Sequence, residues 1–286
     1  MNSSLVSIIT PVYYGEDTLE RAIRSVLQQD FPHWEMIIIS DDCQNYEKIV
    51  QQYGIYDNRL RFTSTGKVGS GESNARNKGL EIAQGQYISC LDCDDAFKPQ
   101  KLSTLIPLVK KYGAAISSID YRDSQTDEFL ENLSVQPQDE YITPHDVFRI
   151  CFHTASLYIY DRSKIDVYYD LDLPAMPDGI FLMSFFNTIE TIGYCQEPLH
   201  IYYRREGSAC NSKDTTKIFM FSKKKILEKI NYDTINITNK LAKSVTKQHI
   251  ELMLKLEDIY AQEIIKDPSL SFLELLKSYL EVGALN

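Results

Sequence analysis

The amino-acid sequence predicts an α/β fold, with a doubly wound, mostly parallel sheet and a C-terminal α-helical appendage. Between residues 5 and 118, short apolar runs of strand type alternate with helical segments, and the turns that join them are short. Repeated βα units of this kind are typical of parallel sheets that carry helices on both faces. After residue 212 the strand pattern ends, and the sequence is typical of helices alone.

The strands are predicted where apolar and β-branched residues form short runs bounded by turn residues. They cover residues 5–10, 34–39, 60–63, 87–91, 114–118 and 155–160. Pro11 is expected to stop the first of them, because proline has no N–H to donate to a neighbouring strand. The run at 87–91 is apolar enough for a strand that is buried on both faces.

The helices fill the intervals between the strands. They are predicted over residues 18–29, 45–53, 73–83, 98–112 and 178–188. Thr18 is expected to cap the first helix, and Pro268 to open a last helix that Gly283 closes. The polar and acidic segment 120–144 is predicted to be a flexible loop or an insertion.

Composition limits the classes of partner. A chain of 286 residues with 43% hydrophobic content can bury a sizeable core, which indicates one large domain or a domain with an appendage. The net charge of −10 argues against a nucleic-acid partner, because such proteins bind phosphates through basic surfaces. The charge is uneven, since residues 216–286 hold 11 Lys against 9 Asp+Glu.

The sequence indicates a cytoplasmic location. The first residues lack the basic and apolar regions of a signal peptide, and no apolar run approaches the length that spans a membrane. The six cysteines form no dense framework, which is typical of reduced thiols.

An acidic cluster follows the strand at 87–91. Asp92, Asp94 and Asp95 lie within four positions. Carboxylates so close repel one another unless a cation lies between them, and ligands that are all oxygen suit Mg²⁺ or Mn²⁺. Such ions usually bridge one or two carboxylates to substrate phosphates. The alternative is a solvated acidic turn that caps the next helix.

Other candidate residues follow the neighbouring strands. In a doubly wound sheet the carboxyl ends of the parallel strands lie along one edge, where such folds bind ligands. Pro11 and Tyr13 follow the first strand, and Asp41 and Asp42 follow the second. Tyr13 is expected to stack on a base, and an aspartate to accept hydrogen bonds from a base or a ribose. Ordinary packing of Tyr13 and a helix cap at Asp42 are the alternatives.

Two other phosphate chemistries fit the order of these motifs less well. A phosphotransferase with an aspartyl nucleophile would have its Asp-x-Asp after the first strand, where this chain has Pro11. A dinucleotide-binding dehydrogenase would have G-x-G-x-x-G at that same place. The nearest match, Gly69-Ser70-Gly71, follows the third strand and lacks the last glycine.

Four motifs occur in an order that resembles a known family. They are VSIITPVY at 6–13, Asp41-Asp42 after the second strand, ARNKGL at 75–80 and LDCDD at 91–95. Over about the first 100 residues the chain is therefore similar to family 2 glycosyltransferases with a GT-A fold. The resemblance implies transfer of a sugar from a nucleoside diphosphate donor, most commonly a UDP-sugar, with Mn²⁺ or Mg²⁺ and with inversion at the anomeric carbon.

The resemblance also implies a division of the chain and a role for each donor-site residue. It implies a nucleotide-sugar-binding half over 1–120, an acceptor-binding and catalytic-base half over 121–215, and a helical region over 216–286. The implied contacts are Pro11, Tyr13 and Asp42 with the base, Asp41 close to it, Arg76 with the nucleotide or diphosphate, Asp92 with the ribose, and Asp94 together with Asp92 at the metal.

The same resemblance implies a catalytic base in the second half. The family often has Glu-Asp at the start of a helix there, and the matching position is Asp178, with Pro177 in place of the glutamate. A helix cap is the alternative role for Asp178. Because of Pro177, a non-catalytic nucleotide-sugar-binding or assembly subunit stays open as the second hypothesis.

A second basic motif also resembles the family. Arg204 and Arg205 match its Tyr-Arg loop, which closes over the donor diphosphate, and an exposed arginine pair is the alternative. His200 is assigned either to the metal and diphosphate or to a structural role. His153 lies where family members meet the acceptor, which is expected to be a sugar or a lipid-linked glycan of surface-polysaccharide assembly.

The lysine-rich C-terminal region has more than one interpretation. It is expected to pack on the catalytic domain or to form a homo-oligomer, because lysine-rich helices are commonly solvated. The alternative is a peripheral contact with an anionic membrane that holds a lipid-linked acceptor.

Overall fold

The computed structural model describes residues 2–133, 140–150, 157–205 and 215–266, together with residues 275, 278 and 279. The strands are β1 (Asn2–Val12), β2 (Trp34–Ser40), β3 (Leu60–Ser64), β4 (Gly85–Cys90), β5 (Ala96–Phe97), β6 (Ala114–Asp123), β7 (Phe129–Leu133), β8 (Tyr141–Ile142), β9 (Tyr158–Asp161) and β10 (Ile192–Arg204). The helices are α1 (Glu16–Leu27), α2 (Tyr46–Gln52), α3 (Glu72–Ile82), α4 (Lys101–Tyr112), α5 (Pro144–Ile150), α6 (Pro177–Ser184), α7 (Thr215–Asn231) and α8 (Lys240–Lys266).

These strands form one sheet in the order β3-β2-β1-β4-β9-β6-β10-β5, with β7 beside β6 and β8 beside β10. The strands β3, β2, β1 and β4 are parallel, and β6 and β10 are parallel to each other. β9 lies antiparallel between β4 and β6, so β6 and β10 run in the same direction as β4. The mostly parallel α/β fold that the sequence predicts is confirmed.

The apolar runs of the central strands bury side chains on both faces of the sheet. Ile8 and Ile38 pack into one core with α1 and α4, whereas Ile9 and Ile37 pack into a second core with α3, α6 and the C-terminal helices. Because successive residues of a strand point to opposite faces, an unbroken apolar run is needed to fill both cores. The helices therefore cover both faces, as a doubly wound sheet requires.

The first strand does not stop at Pro11, and that prediction is wrong. β1 continues to Val12, and Pro11 lies opposite Ile39 of β2. On the other side the pairing with β4 ends at Ile9. Pro11 therefore lies beyond the end of β4 and has a strand on one side alone, a position where a missing N–H is tolerated.

Two helices begin at residues other than those predicted. α1 begins at Glu16 after Gly15, and the Thr18 hydroxyl donates to the Gly15 carbonyl at 3.3 Å instead of capping the helix. α4 begins at Lys101, because β5 precedes it and the Lys98 N–H donates to the Leu199 carbonyl at 3.0 Å beside that strand.

In the described residues of the segment 120–144, which are 120–133 and 140–144, the chain forms strands where its polar composition predicts a loop. β6 extends to Asp123 and forms a hairpin with β7, and β8 pairs with β10. The Asp123 carboxylate accepts hydrogen bonds from the N–H groups of Gln125 and Thr126, which stabilises the turn between β6 and β7. β7 and β8 are short, with five and two residues.

The C-terminal helices pack on the segment that leads into α6. The Ala175 N–H donates to the Ser222 hydroxyl at 3.1 Å, and Lys229 pairs with Asp170 and Asp172 at 2.6 and 2.8 Å. In the described ranges, no helix has the length and apolar character that crossing a bilayer requires. Apart from residues 275, 278 and 279, the predicted helix from Pro268 to Gly283 lies outside the described residues, and so does the candidate His153.

Candidate active site

The carboxyl ends of β1 and β2 lie at one edge of the sheet, where Asp41 holds the glycine-rich loop 66–71 in place. Its carboxylate accepts hydrogen bonds from the Thr65 hydroxyl at 2.8 Å, from the Ser70 N–H at 3.1 Å and from the Gly71 N–H at 2.9 Å. The Ser70 hydroxyl is a further donor. Gly69 and Gly71 have φ values of 66° and 101°, which favour glycine and let the loop turn towards Asp41.

Asp42 supports the backbone that follows β1. Its carboxylate accepts hydrogen bonds from the Tyr14 N–H and the Tyr46 hydroxyl, both at 2.6 Å, from the Ser40 hydroxyl at 2.9 Å and from the Gln44 N–H at 3.0 Å. Burial opposes the charge, but these hydrogen bonds hold the pKa of Asp42 below its ordinary value. Four donors use the acceptor capacity of a carboxylate, so Asp42 orders the turn that carries Tyr13.

Tyr13 presents an exposed aromatic surface at this edge of the sheet. Its side chain is 53% exposed, and its ring makes an edge contact with Tyr14. A Cβ atom at Gly69 would lie 3.6 Å from the Tyr13 hydroxyl, so the ring faces the glycine-rich loop. Pro11 lies two residues earlier, near the end of β1. An open ring beside a backbone loop can stack on a flat ligand.

Asp92 and Asp94 follow β4 at the centre of the sheet. Asp92 and Asp94 keep 16% and 30% of their side chains exposed. Burial and the neighbouring Asp92 raise the pKa of Asp94. The Asp94 carbonyl accepts a hydrogen bond from Arg21 at 2.6 Å, which fixes the backbone between the two carboxylates.

Arg76 joins Asp92 to Asp178, which lies 86 positions further along the chain. Its guanidinium is fully buried and donates to Asp92 at 2.7 Å and to Asp178 at 2.8 Å, and it also pairs with Glu72. Although burial opposes its charge, these carboxylates hold the pKa of Arg76 above its ordinary value. Arg76 therefore brings together a residue that follows β4 and a residue of α6 in one site.

Asp178 lies in the first turn of α6, directly after Pro177. Pro177 is the first helical residue, where proline is favoured because the N–H it lacks would have no helical partner. Asp178 accepts hydrogen bonds from Arg76 and, at 3.4 Å, from the Tyr169 hydroxyl. Burial raises the pKa of Asp178, and Arg76 opposes that shift. Pro177 thus starts the helix and leaves Asp178 directed at Arg76.

The two arginines of the predicted phosphate-binding pair have different surroundings. Arg205 lies 3.5 Å from the Asp94 carboxylate. Arg204 pairs with Glu131 of β7 and lies over the ring of Tyr121 at 4.5 Å. Arg205 therefore belongs to the site, whereas Arg204 connects two strands outside it.

Two residues of the site carry no local sequence signal. Arg21 reaches Asp94 from α1 and lies over the Tyr203 ring at 3.5 Å. Tyr169 reaches Asp178 from the segment between β9 and α6. Both are recognisable only from contacts that are distant in sequence. His200, for which the sequence left two roles open, is buried against Asp95 at 3.0 Å.

The donor atoms at this edge of the sheet suit a hard cation held in part by a ligand. Asp92 and Asp94 offer oxygen atoms, and the carboxyl groups of Glu72 and Asp178 lie close by on Arg76. Among the described residues, no three His, Cys, Asp or Glu side chains form a metal-binding group. A Mg²⁺ or Mn²⁺ ion that shares its ligands with substrate phosphates needs only one or two carboxylates, so the residues present fit such an ion.

Comparison with known sequences identifies similar proteins. The family model described as Glycosyl transferase family 2 matches residues 7–170. The chain is 43% identical over 119 residues to TuaG of Bacillus subtilis, a glycosyltransferase named for teichuronic acid biosynthesis. It is 29% identical over 167 residues to WfgD of Escherichia coli, named as a UDP-Glc:alpha-D-GlcNAc-diphosphoundecaprenol beta-1,3-glucosyltransferase. These matches cover 41% and 58% of this chain, but 46% of TuaG and 64% of WfgD.

Solved structures have the same fold at low sequence identity. A mannosyltransferase from Pyrobaculum calidifontis, PcManGT, in complex with GDP-Man and Mn²⁺, superposes with a TM-score of 0.62 and 13% identity, over 100% of this chain and 82% of that one. S. aureus TarS in complex with UDP-GlcNAc superposes with a TM-score of 0.60 and 19% identity, over 78% of this chain and 66% of that one. At these identities, both comparisons show a shared fold and nothing more.

Proposed function

The chain belongs to glycosyl transferase family 2, and from that premise we propose that it transfers a sugar from a nucleoside diphosphate donor to a carbohydrate or lipid-linked acceptor. The observation that carries the proposal is the position of Arg76, which holds Asp92 and Asp178 by hydrogen bonds of 2.7 and 2.8 Å. A donor-site carboxylate and a candidate base therefore lie on either side of one guanidinium. The product is an acceptor extended by one sugar, for the assembly of a cell-surface polysaccharide.

The reaction is a single displacement at the anomeric carbon. The acceptor hydroxyl gives its proton to Asp178, its oxygen forms the new bond to the anomeric carbon, and the nucleoside diphosphate leaves with the electrons of the broken bond. Burial raises the pKa of Asp178 towards that of a useful base. Attack from the face opposite the leaving group inverts the anomeric configuration.

Asp92 and Asp94 would hold a divalent cation together with the donor diphosphate. When bound, Mn²⁺ or Mg²⁺ neutralises the negative charge that develops on the leaving group. Arg205, which lies 3.5 Å from Asp94, is the protein cation best placed to meet the same phosphates. The base of the nucleotide would stack on Tyr13, between the loops that Asp41 and Asp42 hold.

The second hypothesis, a subunit that binds the donor without turning it over, depended on Pro177. Pro177 fits the first position of α6, and Asp178 still faces Arg76. The geometry therefore favours an enzyme. Pro11 and the Tyr13 ring would serve donor binding under either hypothesis, so these residues do not separate the two.

Thermal unfolding in the presence of nucleotides tests the donor site. UDP is expected to raise the melting temperature when Mn²⁺ or Mg²⁺ is present and to lose most of this effect when a chelator is added. A ligand at 100 times its Kd stabilises the native state by about 2.7 kcal/mol. The assay compares UDP, GDP and TDP, each with Mn²⁺, with Mg²⁺ and with chelator.

An Asp94→Asn variant is the matched control for this experiment. Its unfolding temperature without ligand serves as the reference, and its metal-dependent shift is expected to be lost. If no nucleoside diphosphate stabilises the wild-type protein under any metal condition, the proposed donor site is wrong. If a nucleotide raises the melting temperature of the wild-type protein as much with chelator as with metal, the role of Asp92 and Asp94 as metal ligands is wrong.

A lipid-linked acceptor would bring the enzyme to an anionic membrane surface, for which α7 carries a suitable face. Ile218 and Phe221 are exposed on α7, and Lys224 lies one turn further along the same face. Exposed apolar residues flanked by lysines suit the interface of an anionic bilayer. Ser222 of the same helix contacts the segment that leads to Asp178, so α7 would bring that segment close to the bilayer.

The double variant Phe221→Ser/Lys224→Glu is therefore expected to bind vesicles of phosphatidylglycerol and phosphatidylcholine about tenfold more weakly than wild type. Each basic residue near an anionic surface contributes about 1 kcal/mol, and reversing its charge adds repulsion. Flotation with these vesicles measures the change. The control variant Tyr56→Ser removes an aromatic residue that is 78% exposed between α2 and β3. An equal loss of vesicle binding in this variant would count against a specific role for α7.

A further inference from the structure

A lysine is buried beside the donor site. Lys101 is the first residue of α4, and none of its side chain is exposed. Within the described part of the chain it forms no ion pair with a carboxylate; its Nζ lies 3.0 Å from the Nδ1 of His200 and 4.1 Å from the centre of the Phe97 ring. A positive charge at a helix N-terminus is disfavoured by the helix dipole, and burial lowers the pKa of Lys101 to about 7.

The hydrogen bonds of His200 continue from this lysine to Asp95. The Nε2 atom of His200 lies 3.0 Å from the Oδ2 atom of Asp95. In its protonated form Lys101 can only donate; it then donates to Nδ1, and the neutral imidazole carries its hydrogen on Nε2. Burial lowers the pKa of His200, which keeps the ring neutral. One orientation and one tautomer of His200 satisfy both partners.

Asp95 transmits this arrangement to the turn that carries the donor-site carboxylates. Its Oδ1 atom accepts the Tyr203 N–H at 3.1 Å, and its own N–H donates to the Asp92 carbonyl at 3.1 Å. Asp95 is buried, and it ties the turn 92–95 to β10. A shift of its carboxylate would therefore move the backbone that presents Asp92 and Asp94.

We propose that Lys101 is a positioning residue of the donor site: through His200 it orients Asp95, and so fixes the turn 92–95 for the donor diphosphate. The proposal rests on the proposed function. An apolar side chain of similar length would fill the same space without the cost of a buried charge. What such a side chain lacks is the donor that selects the tautomer of His200, as second-shell partners do at ligand sites.

Binding of UDP with Mn²⁺ as the probe tests this role in the full-length protein by titration calorimetry. Lys101→Met is expected to weaken binding about 10- to 100-fold, as losses of second-shell partners do. His200→Gln keeps an N–H donor for Asp95 but has no tautomer to select. In the His200→Gln background, Lys101→Met should therefore weaken UDP binding by less than about threefold further, because the effects of residues that act through each other are not additive.

Lys98→Met is the matched control. Lys98 lies three residues before Lys101, and its ammonium group pairs with Asp120 at 2.6 Å. Its substitution is expected to leave UDP binding within about twofold of wild type. If Lys101→Met and His200→Gln weaken binding additively, or if Lys98→Met weakens it as much as Lys101→Met, the positioning role is wrong.

Nitrogen NMR of the histidine rings gives a readout on the wild-type protein that needs no ligand. The His200 signal, assigned by its loss in His200→Gln, is expected to show the Nε2–H tautomer in the wild-type protein. An Nδ1–H tautomer would overturn the proposal. If the wild-type protein binds no UDP, the uridine donor of the proposed function fails, while the tautomer still decides whether Lys101 acts on His200.

Discussion

The Asp178→Asn variant is expected to transfer sugar about 10²- to 10⁴-fold more slowly than the wild-type protein, the range that loss of a general base usually produces. Asparagine keeps the shape of the side chain, and its amide oxygen can accept the hydrogen bond that Arg76 donates to Asp178 at 2.8 Å in the wild-type protein. It cannot take the proton of an acceptor hydroxyl. Donor binding should therefore survive. Release of nucleoside diphosphate measures transfer, and the thermal shift measures binding.

Asp172→Asn controls for the loss of a carboxylate in the same region. Asp172 is exposed and pairs with Lys229 of α7, and its substitution should leave the transfer rate unchanged. Wild-type transfer by Asp178→Asn would remove Asp178 as the base. A variant that loses both transfer and donor binding would instead indicate that Asp178 acts through Arg76 on the donor site.

Arg76→Met is expected to lower the free energy of unfolding by about 3–5 kcal/mol and to abolish transfer. Removing one partner of a buried ion pair leaves the other charges uncompensated, which costs about that much. Here the buried guanidinium serves Asp92, Asp178 and Glu72 together. Urea denaturation followed by circular dichroism measures the loss of stability, and product formation measures transfer.

The Arg24→Met variant provides the comparison, because Arg24 pairs with Glu20 on the exposed face of α1. An exposed pair one helical turn apart contributes about 0.3–0.5 kcal/mol, so this variant should unfold almost as the wild type does. If Arg76→Met is no less stable than Arg24→Met, the carboxylates around Arg76 do not depend on it. If it is destabilised but transfers normally, Arg76 does not organise the reaction.

One half of the candidate site was predictable because its residues follow strands. Asp92, Asp94, Asp41 and Asp42 each come directly after an apolar run, and the carboxyl ends of parallel strands share one edge of a sheet. The structure brings Arg76 and Asp178 to that edge as well. A local pattern was sufficient where the geometry of a parallel sheet itself sets which residues meet.

Contacts across the sheet were not predictable from local patterns. Arg204 and Arg205 are adjacent, and only the pairing of Arg204 with Glu131 separates their environments. The strand that carries Glu131 was itself predicted to be part of a loop, because the whole segment 120–144 is polar and acidic. The contact of Lys101 with His200 joins residues 99 positions apart, and nothing in the composition of either segment indicates it.

The attachment of the Asp178 segment to α7 has a consequence for how such enzymes diversify. The family match ends at residue 170, whereas Asp178, the proposed base, and the helix that contacts its segment through Ser222 and Lys229 lie beyond that point. Exchanging the chain from Asp170 onward between relatives would move Asp178, its segment and both of these contacts as one unit. Under the proposed function, recombination at this single junction would change which glycan is extended, while the first half of the chain would keep its donor sugar.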